Sequence, residues 1–242
     1  PSLLRETPLH RLPLPAPEEL ARHMDHTLLR PEATREEVER FLEEALQIQP
    51  YAVCVHPVWV PLSRRRLEGS TIRVATVVAF PHGATLPEVK AEETRRVVDA
   101  GAVEVDMVMH VGLARMGAWD RLEADIRAVV EAAGEAGVKV ILETALLTPD
   151  QIRASVRVAV RAGAAFVKTS TGFSSRGATL EDIFLMRDAA EGQIQIKASG
   201  GIRTAEQAVK FLVAGADRLG LSRSAQVLEE YRKFWKVREG SS

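Results

Sequence analysis

Three features of the 242-residue chain predict a single-domain (β/α)8 TIM barrel. Eight short apolar stretches of strand character recur along it, helix-start signals stand between them, and Ala-Gly-Ala stops end helices just before the next strand. The length also fits one such barrel, typically about 250 residues. A doubly wound open sheet is the structural alternative for the same alternation. In chain order, residues 1–22 form an N-terminal arm and helix. Prolines at 1, 8, 13, 15 and 17 make the arm extended, and a short helix follows near 17–23. The barrel occupies 23–236, with strands at 23–28, 52–56, 72–80, 104–110, 139–145, 166–170, 195–199 and 218–222. Thr148-Pro149 with Gln151, Thr179 with Asp182, and Thr204 with Gln207 are spaced as capping boxes and start three of the helices. Gly101, Gly163 and Gly215, each between two alanines, fit left-handed helix stops. Residues 237–242 are expected to be a disordered tail.

Composition narrows the partners. A hydrophobic content of 46% supplies a core, while a net charge of −1 argues against a nucleic-acid or anionic-membrane surface as the main partner. The basic residues Lys233, Lys236 and Arg238 read as a solvated helix face. One cysteine, Cys54, allows no internal disulfide, and no apolar run reaches the ~18 residues of a membrane span. The start of the chain lacks the apolar centre of a signal peptide. A cytoplasmic protein is expected. The absence of asparagine and a charged content of 27% fit a thermophilic source or an arginine-biased coding sequence.

Strand parity separates an outer face from an inner one. Ile194, Ile196 and Ala198 alternate with Gln195, Lys197 and Ser199; Val105, Met107 and Met109 alternate with Glu104, Asp106 and Val108. Leu219 and Leu221 likewise oppose Gly220 and Ser222, Cys54 shares a face with His56, and Lys168 shares one with Phe166 and Ser170. The apolar sets face the helices, so the polar sets face the barrel axis. Inward polar groups near the C-terminal rim of a parallel barrel converge on its active site. Asp25, Thr27, Cys54, Asp106, Lys139, Glu143, Lys168 and Lys197 are therefore expected to share one pocket.

Lysine inside an apolar strand is the most telling feature. The chain carries only seven lysines against twenty-five arginines, yet Lys168 and Lys197 stand within apolar runs. Either they snorkel to solvent or they use what distinguishes lysine from arginine, a pKa that falls on burial and a nucleophilic neutral amine. A second ammonium nearby favours the neutral form, so Lys197 is expected to lower the pKa of Lys168. The free amine then forms a Schiff base with a carbonyl, and the iminium acts as an electron sink. Asp106 with Lys197 supplies proton transfer, or Asp106 only neutralises the lysines. Two glycine-rich turns, Ser199-Gly200-Gly201-Ile202-Arg203 and Gly220-Leu221-Ser222-Arg223, leave the last two strands where such barrels bind phosphate. Arg203 and Arg223 oppose the helix dipole unless an anion sits there or they project to solvent. A metal site built from His56, His82, His110 and Glu143 is conceivable, but no tight His-x-His pair occurs and two lysines would repel a divalent ion.

Seven motifs carry a resemblance: Asp25-His26-Thr27-Leu28-Leu29, Cys54-Val55-His56-Pro57, Phe80-Pro81-His82-Gly83, Gly101 to Val108, Lys139 to Thr144, Phe166-Val167-Lys168-Thr169-Ser170-Thr171-Gly172-Phe173 and Lys197-Ala198-Ser199-Gly200-Gly201-Ile202-Arg203. In this order, over about 22–222, the chain resembles deoxyribose-phosphate aldolase. The resemblance implies a metal-independent class I aldolase that needs no cofactor. It would cleave 2-deoxy-D-ribose 5-phosphate reversibly to D-glyceraldehyde 3-phosphate and acetaldehyde. It implies Lys168 as the Schiff-base lysine and Asp106 with Lys197 as the acid/base pair. Asp25, Thr27, Cys54, Lys139 and Thr171 become substrate contacts, and Gly172, Gly200, Gly201 and Ser222 hold phosphate. Arg223 joins them as a candidate from its place beside Ser222. Partners are then the phosphorylated sugar and acetaldehyde, with a homo-oligomer, dimer or tetramer, expected from the outer helices and the arm. Two features depart from the family pattern: in the loop after the last strand Leu221 and Arg223 stand where smaller residues are usual, and the last tyrosine, Tyr231, falls on a predicted helix rather than at a terminus. Residue types alone leave two alternatives, another lysine-dependent barrel lyase or transferase, and a non-catalytic phosphometabolite-binding barrel.

Overall fold

Eight parallel strands pair in sequence order and close on themselves in the computed structural model, which describes residues 1–240. They are β1 (Met24–Leu28), β2 (Ala52–Val55), β3 (Arg73–Val78), β4 (Glu104–Val108), β5 (Gly137–Ile141), β6 (Phe166–Lys168), β7 (Gln195–Ser199) and β8 (Arg218–Leu221). The fold is the expected barrel. Several strands are shorter at their C-terminal ends than the apolar runs implied, because the backbone turns there. Ala79 and Glu143 take left-handed conformations, with φ of 53° and 56°, which no strand accommodates.

The helices are α1 (Ser2–Glu6), α2 (Pro17–Ala21), α3 (Arg35–Ile48), α4 (Val60–Arg66), α5 (Pro87–Asp99), α6 (Val111–Arg115), α7 (Trp119–Ala133), α8 (Pro149–Arg161), α9 (Leu180–Ala190), α10 (Ala205–Ala214) and α11 (Ser224–Gly240). Capping boxes at Thr148, Thr179 and Thr204 start α8, α9 and α10, and a fourth at Thr34 starts α3. Gly101, Gly163 and Gly215 have φ of 117°, 86° and 120°. Ala102 N–H donates to Val97 O at 3.0 Å, and Ala164 and Ala216 repeat that bond, so each stop is a Schellman cap.

Period-two patterning fixes the layers. Val53, Val105, Met107, Val140, Val167, Ile196, Ala198 and Leu219 are buried against the helices in the main apolar core. Inside the barrel a small apolar cluster of Leu29, Cys54, Ala75 and Val77 adjoins a group of buried charged side chains.

Two expectations at the termini need correction. The arm is not extended throughout: it holds α1 and a 3-10 turn at Leu9–Arg11, because the prolines at 8, 13 and 15 flank these segments rather than interrupt them. It is tied down where Lys210 Nζ and the Tyr231 hydroxyl donate to Arg5 O and Pro15 O, each at 2.6 Å, and by the Arg5–Glu181 ion pair. The tail expected at 237–242 is helical through Gly240, since α11 continues past its buried residues; Ser241 and Ser242 lie outside the described residues. Among the described residues, no helix is long and apolar enough to cross a membrane.

Candidate active site

The barrel interior holds a layered ion cluster drawn from six strands. Asp106 on β4 lies at its centre. Its Oδ2 accepts from Lys168 Nζ on β6 at 2.9 Å and from Lys197 Nζ on β7 at 2.8 Å, while its Oδ1 accepts from Lys139 Nζ on β5 at 2.6 Å. Lys197 also donates to Asp25 Oδ2 on β1 at 2.6 Å. Lys139 lies 2.9 Å from Glu104 Oε1. Arg218 on β8 joins the lower part, donating from Nη1 to Asp25 Oδ1 at 3.0 Å and to Glu104 Oε1 at 2.9 Å. Its guanidinium is 3.6 Å from the centre of the Tyr51 ring, where the strands begin. Glycine at position 220 makes room for this cluster: a Cβ there would come within 2.8 Å of Lys197 Cε.

Charge counting explains the titration behaviour. Four cations, Lys139, Lys168, Lys197 and Arg218, face three carboxylates, Asp25, Glu104 and Asp106. One proton too many is held in a medium that solvates ions poorly. Lys168 is the group that yields. Burial pushes its pKa down most, Asp106 pulls it back up, Lys197 adds repulsion, and the net shift is downward. The expectation that Lys197 lowers Lys168 thus holds in sign, but burial is the larger cause. Burial also acts against the Lys197 ammonium, yet Asp106 and Asp25 outweigh it and its pKa rises. For Asp106, burial favours the neutral acid, but the attraction of Lys139, Lys168 and Lys197 prevails and holds the carboxyl well below its usual range. Asp25 is depressed by the same competition, with Lys197, Lys139 and Arg218 outweighing burial. Buried Cys54 is pushed up to about 11, mainly by desolvation and then by Asp106, so its thiol stays protonated near neutral pH.

Above this layer a cavity of about 510 Å³ opens at the C-terminal rim, and Lys168 lines it. Thr27, Thr171, Gly172, Gly200, Gly201, Ser222 and Arg223 line it as well. Gly172, Gly200 and Gly201 have φ of 88°, 85° and 78°, a conformation that only glycine adopts without strain. The loop after β6 is set by close packing: a Cβ on Gly177 would come within 2.0 Å of Gly200 O. Asp182 secures the same loop, accepting from Thr144 Oγ1 at 2.9 Å and Arg176 Nη1 at 2.6 Å. Neither Arg203 nor Arg223 has an acidic partner among the described residues, and both side chains are exposed.

Several expectations are refined by this geometry. Asp25, Cys54, Asp106, Lys139 and Lys197 do not line the cavity; they form the buried layer behind Lys168, and Lys139 is wholly occupied by carboxylates. Glu143 leaves the shared pocket, because its left-handed backbone turns it toward Thr171, whose N–H and hydroxyl it accepts at 3.2 and 2.6 Å. Among the described residues no three His, Cys, Asp or Glu side chains converge as a metal site requires. His56 is bonded to Leu29 O at 2.7 Å and His110 caps α6. Arg218 and Asp182 were not expected at the site; Glu104, inward by parity, was the available signal for a cation facing it.

The site is thus a buried lysine of lowered pKa at the wall of a glycine-lined cavity, at the rim of a closed eight-stranded barrel. Comparison with known proteins is specific: residues 20–224 match the model of the DeoC/LacD family aldolases, and the chain belongs to that family. It is 50% identical over 210 residues to deoxyribose-phosphate aldolase of Streptococcus gordonii, covering 87% of this chain and 96% of the relative. Deoxyribose-phosphate aldolase of Thermus thermophilus is 50% identical over 204 residues, covering 84% and 93%. The tetrameric deoxyribose-phosphate aldolase structure from Aeropyrum pernix superposes with a TM-score of 0.85 at 35% identity, covering 90% of this chain and 93% of that one.

Proposed function

We propose that the chain is a deoxyribose-phosphate aldolase acting through a Schiff base on Lys168. The observation that carries this reading is a buried lysine of lowered pKa, joined through one Asp106 oxygen to a second lysine that stays charged, at the wall of a 510 Å³ cavity. In the cleavage direction the neutral Lys168 amine adds to the aldehyde carbon of open-chain 2-deoxy-D-ribose 5-phosphate and water departs, leaving an iminium. Removal of the C3 hydroxyl proton breaks the C2–C3 bond. Its electron pair flows to the iminium to form an enamine, and D-glyceraldehyde 3-phosphate is released. A proton delivered to C2 regenerates an iminium, and water hydrolyses it to acetaldehyde and the free amine. Asp106 accepts and returns these protons, and the Lys197 ammonium holds its carboxylate in place between the two lysines. The positive-φ turn at Gly200-Gly201, with Gly172 and Ser222, receives the phosphate through backbone N–H groups.

Thr27 and Thr171 line the sugar channel, while Asp25, Cys54 and Lys139 support the chemistry from behind. The reaction uses no cofactor. A cytoplasmic location fits the single buried cysteine, and the tetrameric relative favours a homo-oligomer. The deciding experiment is borohydride reduction in the presence of acetaldehyde followed by peptide mass spectrometry. A two-carbon adduct on Lys168 is expected; absence of an adduct, or its appearance on another lysine, overturns the assignment.

A further inference from the structure

We infer that Arg218, with Glu104, is a positioning pair that sets the ionisation of Lys168 from the closed end of the barrel without touching substrate. This rests on the Schiff-base reading of Lys168 and extends it to residues outside the cavity. Arg218 is 6% exposed, does not line the cavity, and bonds Asp25 and Glu104. Through Asp25 it is linked to Lys197, through Glu104 to Lys139, and both lysines meet Lys168 at Asp106.

Strand register gives the spacing. Lys197 is paired with Lys168 on one side and with Arg218 on the other, so the stems of Arg218 and Lys168 rise two strands apart, about 10 Å. Every strand but β3 presents a buried titratable group to the cluster. Asp25 faces it from β1, Cys54 from β2, Glu104 and Asp106 from β4, and Lys139, Lys168, Lys197 and Arg218 from β5 to β8. On β3, Ala75 and Val77 line the interior; the exposed Arg73 at its start and the half-buried Arg22 approach the Tyr51 ring on which Arg218 stacks, but meet solvent and lie outside the buried cluster. Cys54 is neutral near pH 7, which leaves the four cations and three carboxylates. Arg218 is thus the charge that puts the cluster one cation over balance. Its own proton does not leave, because the guanidinium is held by two carboxylates and stacked on Tyr51. The excess is relieved where solvent and substrate reach, at Lys168. Glu104 works in the opposite sense. Without it, the excess would be two charges.

The test is the pH dependence of acetaldehyde trapping on Lys168 in the full-length protein. Arg218→Met should move the midpoint upward by about one pH unit, the effect of one charge at ~10 Å in a medium of effective dielectric ~20. Arg218→Lys should restore the parent midpoint. Glu104→Gln should move it downward. Opposite shifts from the two partners of one ion pair support the inference, since a structural role alone would change amplitude or stability but not reverse the sign. Equal midpoints in parent and both charge variants, or shifts in the same direction, overturn it. If Arg218→Met does not fold, the Glu104→Gln midpoint decides alone: downward supports, unchanged or upward overturns. A parent that traps no acetaldehyde on Lys168 overturns the Schiff-base reading itself, and is distinguished by failing before any variant is compared.

Discussion

At the scale of single residues, the site turns on which nitrogen can lose its proton. Lys168→Arg keeps the charge and a similar stem but cannot form an imine, so aldehyde trapping and retro-aldol turnover should fall to background. Retained turnover in the purified variant would remove Lys168 as nucleophile. Lys197→Leu removes the repulsion that adds to burial at Lys168 while Asp106 continues to favour its ammonium. The trapping profile should therefore move to higher pH; an unmoved profile would uncouple the two lysines. Arg223 tests the outer site. It borders the cavity beside Ser222 with no acidic partner among the described residues, so Arg223→Ser should raise KM for 2-deoxyribose 5-phosphate alone, tenfold for each ~1.4 kcal/mol that the guanidinium contributes to phosphate binding. An equal change with unphosphorylated 2-deoxyribose would make it a surface residue. Much of this was legible in the sequence, because side chains alternate along a strand and a lysine in an apolar run has few outcomes. Arg218 was not: it stands at the start of a strand, where a charge reads as the solvent boundary. Its partners Asp25 and Glu104 lie 193 and 114 positions away, brought near only by barrel closure.

At the scale of elements, buried polar links hold strands to helices. Lys90 on α5 donates to Asp125 on α7 at 2.8 Å and to Val108 O at the end of β4 at 2.9 Å, and Asp125 accepts from His110 N–H at 3.0 Å. Lys90→Met should cost about 3–5 kcal/mol, because Asp125 is left as a buried charge without its partner; urea unfolding measures it, and a cost below about 1 kcal/mol would refute the link. His26 on β1 stacks on Phe41 of α3 with ring centres 4.3 Å apart. Glu44 Oε1 lies 3.0 Å from its Nε2, out of line for a hydrogen bond, and burial lowers the His26 pKa from 6.5 to about 4. Below pH 6.5 the unfolded chain binds this proton and the folded one does not, so stability should fall by roughly 3 kcal/mol between pH 6.5 and 4. His26→Phe should flatten that slope in denaturation curves; an unchanged slope would place the loss elsewhere. The depressed carboxylates Asp25 and Asp106 act in a lower window, adding stability above about pH 4 that is lost on further acidification. Elements with strong local signals, the capping boxes and glycine stops, were readable in sequence. Strand ends were not, because the left-handed turns at Ala79 and Glu143 carry no glycine to announce them.

At the scale of the whole molecule, the barrel is closed at one end and open at the other. Arg218, stacked between Tyr51 and Phe166, and the arginines 22 and 73 that approach Tyr51 from other sides close the end where the strands begin. Lys168, almost wholly buried, lines the cavity at the rim. Under the proposed reaction, this architecture has a kinetic consequence. The two-carbon fragment stays bonded to Lys168 while the phosphorylated fragment occupies the channel between it and the mouth. Departure is therefore sequential, three-carbon product first and acetaldehyde last. In steady-state cleavage, acetaldehyde should inhibit competitively against the sugar phosphate, and D-glyceraldehyde 3-phosphate should inhibit noncompetitively. The reverse pattern would require a second exit that a one-mouthed vessel does not have.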